Sequence, residues 1–484
     1  MNGTAITLRN TIVAKNTDNG TAPDTDVSPV TEPVTVLYSL IGDNTGTGLT
    51  ASASPDANGN RIGHAGAAID PLLGPLADNG GPTLTMASLS GSPVDLGGSL
   101  ALAVDPNTNL ALVNDQRGIL FNRSVFNAVD IGAFQSQGFV TLEVTSTADQ
   151  LDAVYNPADE TLRDSVYLAN TLPGAHYIDF ANPGFRQTQV TITLGGTPLE
   201  LTNTSGTIRI VQGTIYPVVI SGNDASPVFQ IDSGVTAEID TLTITHGKNA
   251  GLGGGLVNNG TLTLNGDVIS NSSASGGGLF NSPSGSVTLV GTTLSNNSAL
   301  AGGGGFFNAG TAVLKNSTVS KNSAANNGGG VFNAGGPANA SLTIFGSSIF
   351  NNSAGVNGGG IANSGSLTFT NSTESGNSAA TAGGALYNLG AGNGGGQVIV
   401  TDGTIAGNSA VTGDGVEFDL NSTSGFVKLF GTILAANSLG TPGSPPGDWS
   451  GLPANSASAN DLIGDGTNTG LTNGQNHKGV TSDP

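Results

Sequence analysis

Six successive copies of one short pattern fill residues 251–410. Each copy opens with Gly-Gly-Gly or Gly-Gly-Ala, has an Asn three residues after that triplet, and ends on Ser-Ala. A repeat this short cannot bury an apolar core alone, so it has to stack on its neighbours, and the sequence predicts a solenoid. The last residue of the triplet falls at positions 255, 278, 305, 330, 360 and 385.

Short β-strands explain the apolar positions inside each copy. In the second copy Val287-Thr288-Leu289 alternates apolar and polar side chains, and Leu294 supplies a further inward position. Such alternation is typical of strands of two or three residues, and nothing in the repeats is long enough for a helix. Stacked at the usual inter-strand spacing of about 4.8 Å, these coils form a parallel β-helix.

The middle residue of each first strand is expected to face outward. A flat row of this kind could suit carbohydrate, ice or protein, but β-branched residues also simply favour strands, and we prefer that interpretation. The row is Thr263, Thr288, Val313, Thr343, Thr368 and Ile399.

Two sets of Asn recur at fixed places in the copies. Asn tolerates left-handed turns and bonds its own backbone, and stacked Asn side chains form amide ladders. We therefore predict structural ladders and favour them over binding of sugar or metal. The first set is Asn258, Asn281, Asn308, Asn333, Asn363 and Asn388; the second is Asn297, Asn322, Asn352, Asn377 and Asn408. Insertions fall after the first Asn of a copy, most of all after Asn333 and Asn388, as loops at one corner of a coil should.

The phrase Gly-Gly-(Gly/Ala)-hydrophobic-x-Asn, followed by a strand and Asn-Ser-Ala, resembles the repeats of chlamydial polymorphic outer membrane proteins and related bacterial surface proteins. The resemblance covers about a third of the chain. It implies a right-handed parallel β-helix and a surface location. It implies little about activity, because a fold does not determine a function.

The chain also contains a much longer repeat. Leu40–Thr50 reads LIGDNTGTGLT and returns as LIGDGTNTGLT at Leu462–Thr472. The strand-strand-Asn phrase beginning at Ile6 likewise matches Gly425–Ser438. The chain therefore holds slightly more than one large repeat, opened partway through.

Two further resemblances locate the ends of that large repeat. Residues 36–136, with IDPLLGPLADNGGP, NDQRG and VDIGAF, resemble the closing region called choice-of-anchor Q. Residues 144–180 resemble the opening segment often marked CSLREA, although the cysteine is missing. Leu162, Val166 and Ala169 lie at helical spacing after Thr161, a suitable N-cap. We expect a short helix, residues 162–170, that caps the open end of the solenoid.

The predicted fold is therefore all-β: a right-handed parallel β-helix with a short capping helix and irregular flanking β segments. Its predicted regions are a closing region at 1–136, a linker and cap at 137–182, the β-helix at 183–438 and the start of a second closing region at 439–484. Trp449, the only tryptophan, is expected to cover the lower end of the core.

Composition limits the partners and the compartment. Thirteen basic residues against 34 acidic ones give a net charge of −21, which disfavours nucleic acid and anionic membranes. Without cysteine there are no disulfides or thiolate zinc sites. No apolar run reaches the length of a membrane span. No signal peptide is visible, so we expect either a non-native start or export information elsewhere.

Catalytic chemistry is hard to find in the repeats. Glycoside hydrolysis requires two carboxylates roughly 5 to 10 Å apart, and we expect Asp267, Glu374 and Asp402 to lie too far apart along the coils to pair. His246 resembles the His-Gly of polygalacturonases without their accompanying acids. Asp105, Asn107 and Asn109 begin like a calcium loop, but Leu110 and Gln116 stand where the loop requires Gly and Glu, so we expect a turn.

One acidic group lies close to the coils. Asp414, Glu417 and Asp419 occupy a seventh, degenerate copy that has lost its Asn. They form the one candidate cation or ligand site, and calcium is the only cofactor that the sequence suggests. Otherwise no cofactor is expected.

The predicted function is an exported, non-catalytic surface or extracellular-matrix protein that displays loops for adhesion or binds a carbohydrate or protein ligand. One alternative is a carbohydrate-active enzyme, a polysaccharide lyase or glycoside hydrolase, with its site near residues 411–420 or in the insertion loops. Another is a structural spacer.

Overall fold

The computed structural model divides the chain into two compact units, Met1–Phe139 (unit 1) and Val140–Pro484 (unit 2). The unit boundary falls inside the segment that the sequence assigns to linker and cap. The structure describes residues 6–16, 34–77, 79, 82–89, 92–106, 108–118, 122–124, 128–136, 139–152, 159–171, 174–180, 183–335, 340–389, 396–419, 425–439, 447–451, 453–464, 469 and 477–479.

Unit 2 is a right-handed parallel β-helix, which confirms the predicted fold class. Four stacks of parallel strands run along it, and each regular coil contributes one strand to each stack. The solenoid has about 14 turns.

The strands of these four sheets follow from the sequence pattern of the copies. Sheet A contains Phe139–Glu143, Ala175–Asp179, Thr207–Val211, Thr236–Asp240, Thr261–Asn265, Ser286–Val290, Thr311–Lys315, Ser341–Phe345, Ser366–Thr370, Gln397–Thr401 and Phe426–Phe430. Sheet B contains Val190–Thr193, Val218–Ser221, Thr243–Thr245, Val268–Ser270, Thr293–Ser295, Thr318–Ser320, Ser348–Phe350, Thr373–Ser375, Thr404–Ala406, Ile433–Ala435, Asp461–Ile463 and His477–Gly479. Sheet C contains Leu199–Leu201, Phe229–Ile231, Leu256–Asn258, Leu279–Asn281, Phe306–Asn308, Val331–Asn333, Ile361–Asn363, Leu386–Asn388, Val416–Phe418 and Trp449–Gly451. Sheet D contains Ser273–Ala274, Ser298–Ala299, Ser323–Ala324, Ser353–Ala354, Ser378–Ala379, Ser409–Ala410 and Ser438–Leu439.

The corner between sheets A and B requires a left-handed backbone. Gly291 has φ of 61° there, and Asn316 in the next coil has φ of 51°. Glycine and asparagine adopt this conformation at low cost. The apolar residues over 239–244 predict a single strand, but the same corner falls at Thr241, with φ of 62°. The prediction is wrong because the chain turns there, between strands Thr236–Asp240 and Thr243–Thr245.

A short helix, Leu162–Thr171, precedes the first coils as predicted. Asp164 N donates to Thr161 Oγ1 at 3.0 Å, and Thr161 N donates back to the Asp164 carboxylate at 3.3 Å, a reciprocal capping arrangement. The helix packs against Leu199–Leu201 and Ala175–Asp179 with its apolar side chains buried. A 3-10 turn, Pro183–Phe185, follows.

At the other end of unit 2 Trp449 is 3% exposed, so the indole covers core as expected. Among the described residues, no helix has the length and hydrophobicity needed to cross a membrane.

Unit 1 has shorter elements. Its strands Ile6–Arg9 and Val34–Leu37 pair in parallel, and Leu73–Ala77 and Thr85–Ser88 form an antiparallel pair. The remaining elements are strands Ile12–Val13, Leu40–Ile41 and Arg61–Ile62 and the 3-10 turn Leu100–Leu102. The interpretation of 1–136 as a closing region, like the other region assignments, stays a prediction.

The phrase NDQRG in unit 1 holds a buried ion pair. Arg117 Nη2 lies 2.6 Å from an Asp115 carboxylate oxygen and also donates to the Gln135 carbonyl. The segment after Asp105 is a turn, as expected: Asn109 N donates to the Asp105 carbonyl at 2.8 Å. Asn107, part of the same comparison with a calcium loop, lies outside the described residues.

Candidate functional site

The first Asn set forms one continuous ladder inside the β-helix. In each step the side-chain amide donates to the side-chain carbonyl of the next Asn: 2.8 Å from Asn258 to Asn281, and 2.7 Å from Asn333 to Asn363. The ladder ends at Asn388, whose register partner in the next coil is Phe418. Its members are Asn258, Asn281, Asn308, Asn333, Asn363 and Asn388.

The second set forms a parallel ladder that is longer than predicted. Asn408 Nδ2 donates to Asn437 Oδ1 at 2.9 Å, and Asn437 Nδ2 donates to Asp448 Oδ1 at 2.7 Å. The phrase Ala-Asn-Ser at 436–438 could have revealed Asn437, but Asp448 lies outside any copy. The predicted members are Asn297, Asn322, Asn352, Asn377 and Asn408.

These amides are placed for structure rather than for binding. All the predicted members of both ladders are fully buried, and their amides bond to the next coil and to backbone carbonyls. A ligand at the surface does not reach them.

The acidic group of the seventh copy is split by the fold. Asp414 lies buried in the turn before strand Val416–Phe418, where Ala410 N donates to its Oδ1 at 2.6 Å. Burial raises the pKa of Asp414 to about 6. Glu417 and Asp419 are partly exposed, and Glu417 lies at the outward position of the strand.

The outward acids lie beside a tyrosine. Tyr387 is the register partner of Glu417, and burial, with the charges of Asp419 and Glu417 and a hydrogen bond to Asp419, raises its pKa to about 12. Burial, with repulsion from Asp419, raises the pKa of Glu417 despite its hydrogen bond to Ser450. No group of three or more acidic or histidine side chains suited to a metal occurs among the described residues. The cation site stays a prediction.

Tyr387 belongs to an outward row of sheet C that sequence reasoning missed. The row runs in register through the middle residue of each strand: Gln230, Val257, Phe280, Phe307, Phe332, Ala362, Tyr387, Glu417 and Ser450. This residue stands directly before the first Asn of each copy and varies from copy to copy, so the repeated pattern gave no signal for it.

We call Phe280, Phe307, Phe332 and Tyr387 the aromatic row. The ring centroids of Phe280 and Phe307 lie 5.6 Å apart, and those of Phe307 and Phe332 lie 5.1 Å apart with an interplanar angle of 60°. All three phenylalanines are half-buried. Edge-to-face contact of this kind stabilises the row itself.

Glycines of the preceding coil lie beside two of these rings. A methyl group added at Gly276 would lie 3.4 Å from the Phe307 ring, and one at Gly302 would lie 3.5 Å from the Phe332 ring. These two rings therefore pack beside a glycine of the preceding coil and remain half-exposed.

The other candidates from the sequence lie elsewhere. His246 has φ of 50° and its Nδ1 lies 3.0 Å from Thr245 Oγ1, so it is a turn residue. Asp267 and Glu374 are buried in different coils. The Thr263 row faces outward on sheet A, in register from strand to strand. Part of each loop after Asn333 and Asn388 lies outside the described residues.

Comparison with known proteins adds a structural likeness. No family model and no curated protein matches the chain. A solved structure, the crystal structure of pectate lyase Pel9A, is similar at 15% sequence identity and a TM-score of 0.40, covering 66% of this chain and 82% of that chain.

Proposed function

We propose that this protein is an exported, non-catalytic β-helix protein of the cell surface that binds a neutral glycan chain along the aromatic row. The observation that carries the proposal is the in-register stack of Phe280, Phe307 and Phe332, continued by Tyr387. An aromatic ring presents an apolar surface to the CH groups of a sugar ring.

The length of the row suits a chain ligand. From Phe280 to Tyr387 it crosses five adjacent strands, which span roughly 19 Å at the usual strand spacing. Ala362, at the same position between Phe332 and Tyr387, is 0% exposed, so the exposed aromatic surface is interrupted there. Beyond it Glu417 and Asp419 supply acceptors for sugar hydroxyl groups.

Charge selects against acidic polysaccharides. The chain carries a net charge of −21, and the one charged end of the row consists of Glu417 and Asp419. A polyuronate would meet repulsion along its length, so the ligand class is neutral. Binding through the row would also agree with an adhesive role, which the repeat resemblance suggests.

Affinity electrophoresis through gels containing neutral or acidic polysaccharides tests the proposal. The wild-type protein is expected to be retarded by at least one neutral glycan and not by polygalacturonate. Phe307→Ala should weaken binding about tenfold, since one stacking contact contributes about 1.4 kcal/mol. Val313→Ala, an outward change on sheet A of the same coil, is the matched control. Equal retardation of both variants, or none with any neutral glycan, contradicts the proposal.

Glu417 and Asp419 favour a second candidate, a glycoside hydrolase. They lie two residues apart at the end of a strand, and both contribute to the raised pKa of Tyr387, so their carboxyl groups face the same side of sheet C. A glycoside hydrolase needs two carboxyl groups close together on one side of the substrate. Burial raises the pKa of Glu417, as a general acid requires. Release of reducing ends from a neutral glycan, abolished in Asp419→Asn and Glu417→Gln, would establish this candidate; binding without release in the wild-type protein would exclude it for that glycan.

A further inference from the structure

Two asparagines lie close to the point where the aromatic row is interrupted. Asn327 and Asn357 each stand directly before the glycine triplet of their copy. Gly328 N donates to the Asn357 carbonyl at 2.9 Å, so the two residues belong to adjacent coils. Both are outside the two Asn ladders, so the stacking of the coils does not use their side-chain amides in that way.

The register of the coils determines what Asn327 lies beside. Gly302, where an added methyl group would lie 3.5 Å from the Phe332 ring, forms a parallel bridge with Asn327. Phe332 is in turn the register partner of Ala362 on the next strand of sheet C. Asn327 therefore lies beside Ala362, as Gly302 lies beside Phe332.

An amide takes the place of a ring at this point. Ala362 is 0% exposed, whereas Asn327 is partly exposed, so Asn327 forms the surface here. One coil further, Asn357 stands in the same relation to Tyr387, the register partner of Ala362. We call Asn327 and Asn357 the polar step, because they place two amides between the rings of Phe332 and Tyr387.

The amides of the polar step have unused hydrogen-bonding capacity. Among the described residues, neither Asn327 Oδ1 nor Asn357 Oδ1 has a hydrogen-bond partner, although both atoms are buried. A buried carbonyl without a donor lowers the stability of the fold. The terminal amide torsion of asparagine is broad, so rotation about it turns this oxygen outward without breaking a hydrogen bond. A ligand that supplies donors would satisfy both groups.

We propose that the polar step binds the acetamido group of a 2-acetamido sugar, so that the neutral glycan on the aromatic row is a polymer that contains N-acetylhexosamine. This inference rests on the proposed function. An acetamido group has one N–H donor and one carbonyl acceptor in a plane, and an asparagine amide offers the complementary acceptor and donors. The acetamido methyl group packs against the rings of Phe332 and Tyr387, which flank the step. The group is uncharged, so the acidic chain does not repel it.

Calorimetric titration with two tetrasaccharides tests the inference. The β-1,4-linked tetramer of N-acetylglucosamine and cellotetraose share a backbone and differ only in the substituent at C2. The wild-type protein should bind the N-acetylated tetramer about tenfold more tightly, the effect of one or two hydrogen bonds. The double variant Asn327→Ala, Asn357→Ala should lose this preference and keep its affinity for cellotetraose. Asn326→Ala, at the exposed neighbouring position, is the matched control and should keep the preference.

Thermal unfolding shows whether the amides are instead structural. The double variant should keep the thermal midpoint of the wild type, because its missing Oδ1 atoms accepted no hydrogen bond. If it unfolds, the single variant Asn357→Ala replaces it and should show a reduced preference.

Phe307→Ala separates this inference from the proposed function, because it should weaken the binding of both tetrasaccharides by the same factor. Equal affinity of the wild-type protein for the two tetrasaccharides overturns the inference and leaves the aromatic row as a glycan site. A preference that survives in the double variant, or a double variant that binds both tetrasaccharides equally more weakly, also overturns it. Binding of neither tetrasaccharide does the same, and if no neutral glycan retards the protein in gels, the proposed function is overturned as well.

Discussion

Glu374 and Ile349 are register partners on adjacent strands of sheet B, so a carboxylic acid occupies a place in the core that the coil before fills with isoleucine. Glu374 is fully buried, and its Oε1 has no hydrogen-bond partner. Its carboxyl group lies beside Gly360, as the Ile269 side chain lies beside Gly255 in the first copy. Burial raises the pKa of Glu374 to about 8, so it is mostly protonated at neutral pH.

Replacing this acid with the residue of its neighbours should stabilise unit 2. Glu374→Ile removes a buried, unsatisfied carboxyl and restores the contact that Ile269 makes with Gly255. We expect the free energy of unfolding to rise by about 1 to 4 kcal/mol, measured by urea denaturation at pH 7. The control is Ile349→Val, which keeps the core apolar and should cost about 1 kcal/mol. A destabilised Glu374→Ile would contradict this account.

Asp267 and Glu374 together predict how stability depends on pH. Burial raises both pKa values to about 8, from ordinary values of 3.8 and 4.5. The folded state therefore keeps protons that the unfolded state has released. The stability that these two protonated groups support is complete below about pH 4, falls as pH rises toward 8, and levels off above it.

Denaturation at pH 5, 6.5, 8 and 9 measures this dependence. Each group contributes a slope of at most about 1.4 kcal/mol per pH unit between its unfolded and folded pKa values. The double variant Asp267→Asn, Glu374→Gln should lose most of the slope, and Asn at 267 still accepts the hydrogen bond that Leu242 N makes to Asp267. An unchanged slope in the double variant would show that other groups cause it.

The fold of the repeats could be predicted because the same pattern of Asn and apolar positions occurs six times. The Asn positions fix the corners of each coil, and the apolar alternation fixes its strands. Stacking of the coils then allows a single register between neighbouring strands. The corner at Thr241 escaped prediction because it precedes the regular copies and lacks the Gly, Asn or Asp that marks it elsewhere.

The Asn ladders predict that a buried ladder Asn contributes far more to stability than an exposed Asn next to a ladder residue. Asn322 Nδ2 donates to Asn352 Oδ1 and to the Leu294 carbonyl, and its Oδ1 accepts from Asn297 N. Asn322→Ala leaves several buried groups unsatisfied, each costing about 1 to 3 kcal/mol. The free energy of unfolding should therefore fall by at least about 3 kcal/mol.

Asn351, next to a ladder residue, is the matched control. It is exposed and has φ of 54°, a conformation that glycine adopts freely. Asn351→Gly should leave the thermal midpoint within a few degrees of the wild type. If both variants unfold alike, the ladder does not have the importance that its hydrogen bonds indicate.

The candidate site was less predictable than the fold because it depends on positions that vary between copies. Phe280, Phe307 and Phe332 share a place that Ala362 and Glu417 also occupy, so repetition alone gave no signal there. The separation of Asp414 from Glu417 depends on which residues the turn buries. Three acids within six residues looked like one group, but the fold directs one inward and leaves the others at the surface.

The glycine triplets yield the last prediction, since their middle residue lies against the next coil. A methyl group at Gly329 would collide with the carbonyl of Gly359 and the backbone of Ser353, which are fixed by the stacking. Gly291, at the corner between sheets A and B, has φ of 61° and open space around it, and Asn316 occupies the same corner one coil later. Gly329→Ala should cost more than about 3 kcal/mol or prevent folding, because rigid backbone cannot yield. Gly291→Asn should stay within about 0.5 kcal/mol of the wild type. Thermal unfolding of the two variants side by side measures the difference, and equal midpoints would mean that the coils can separate locally at little cost.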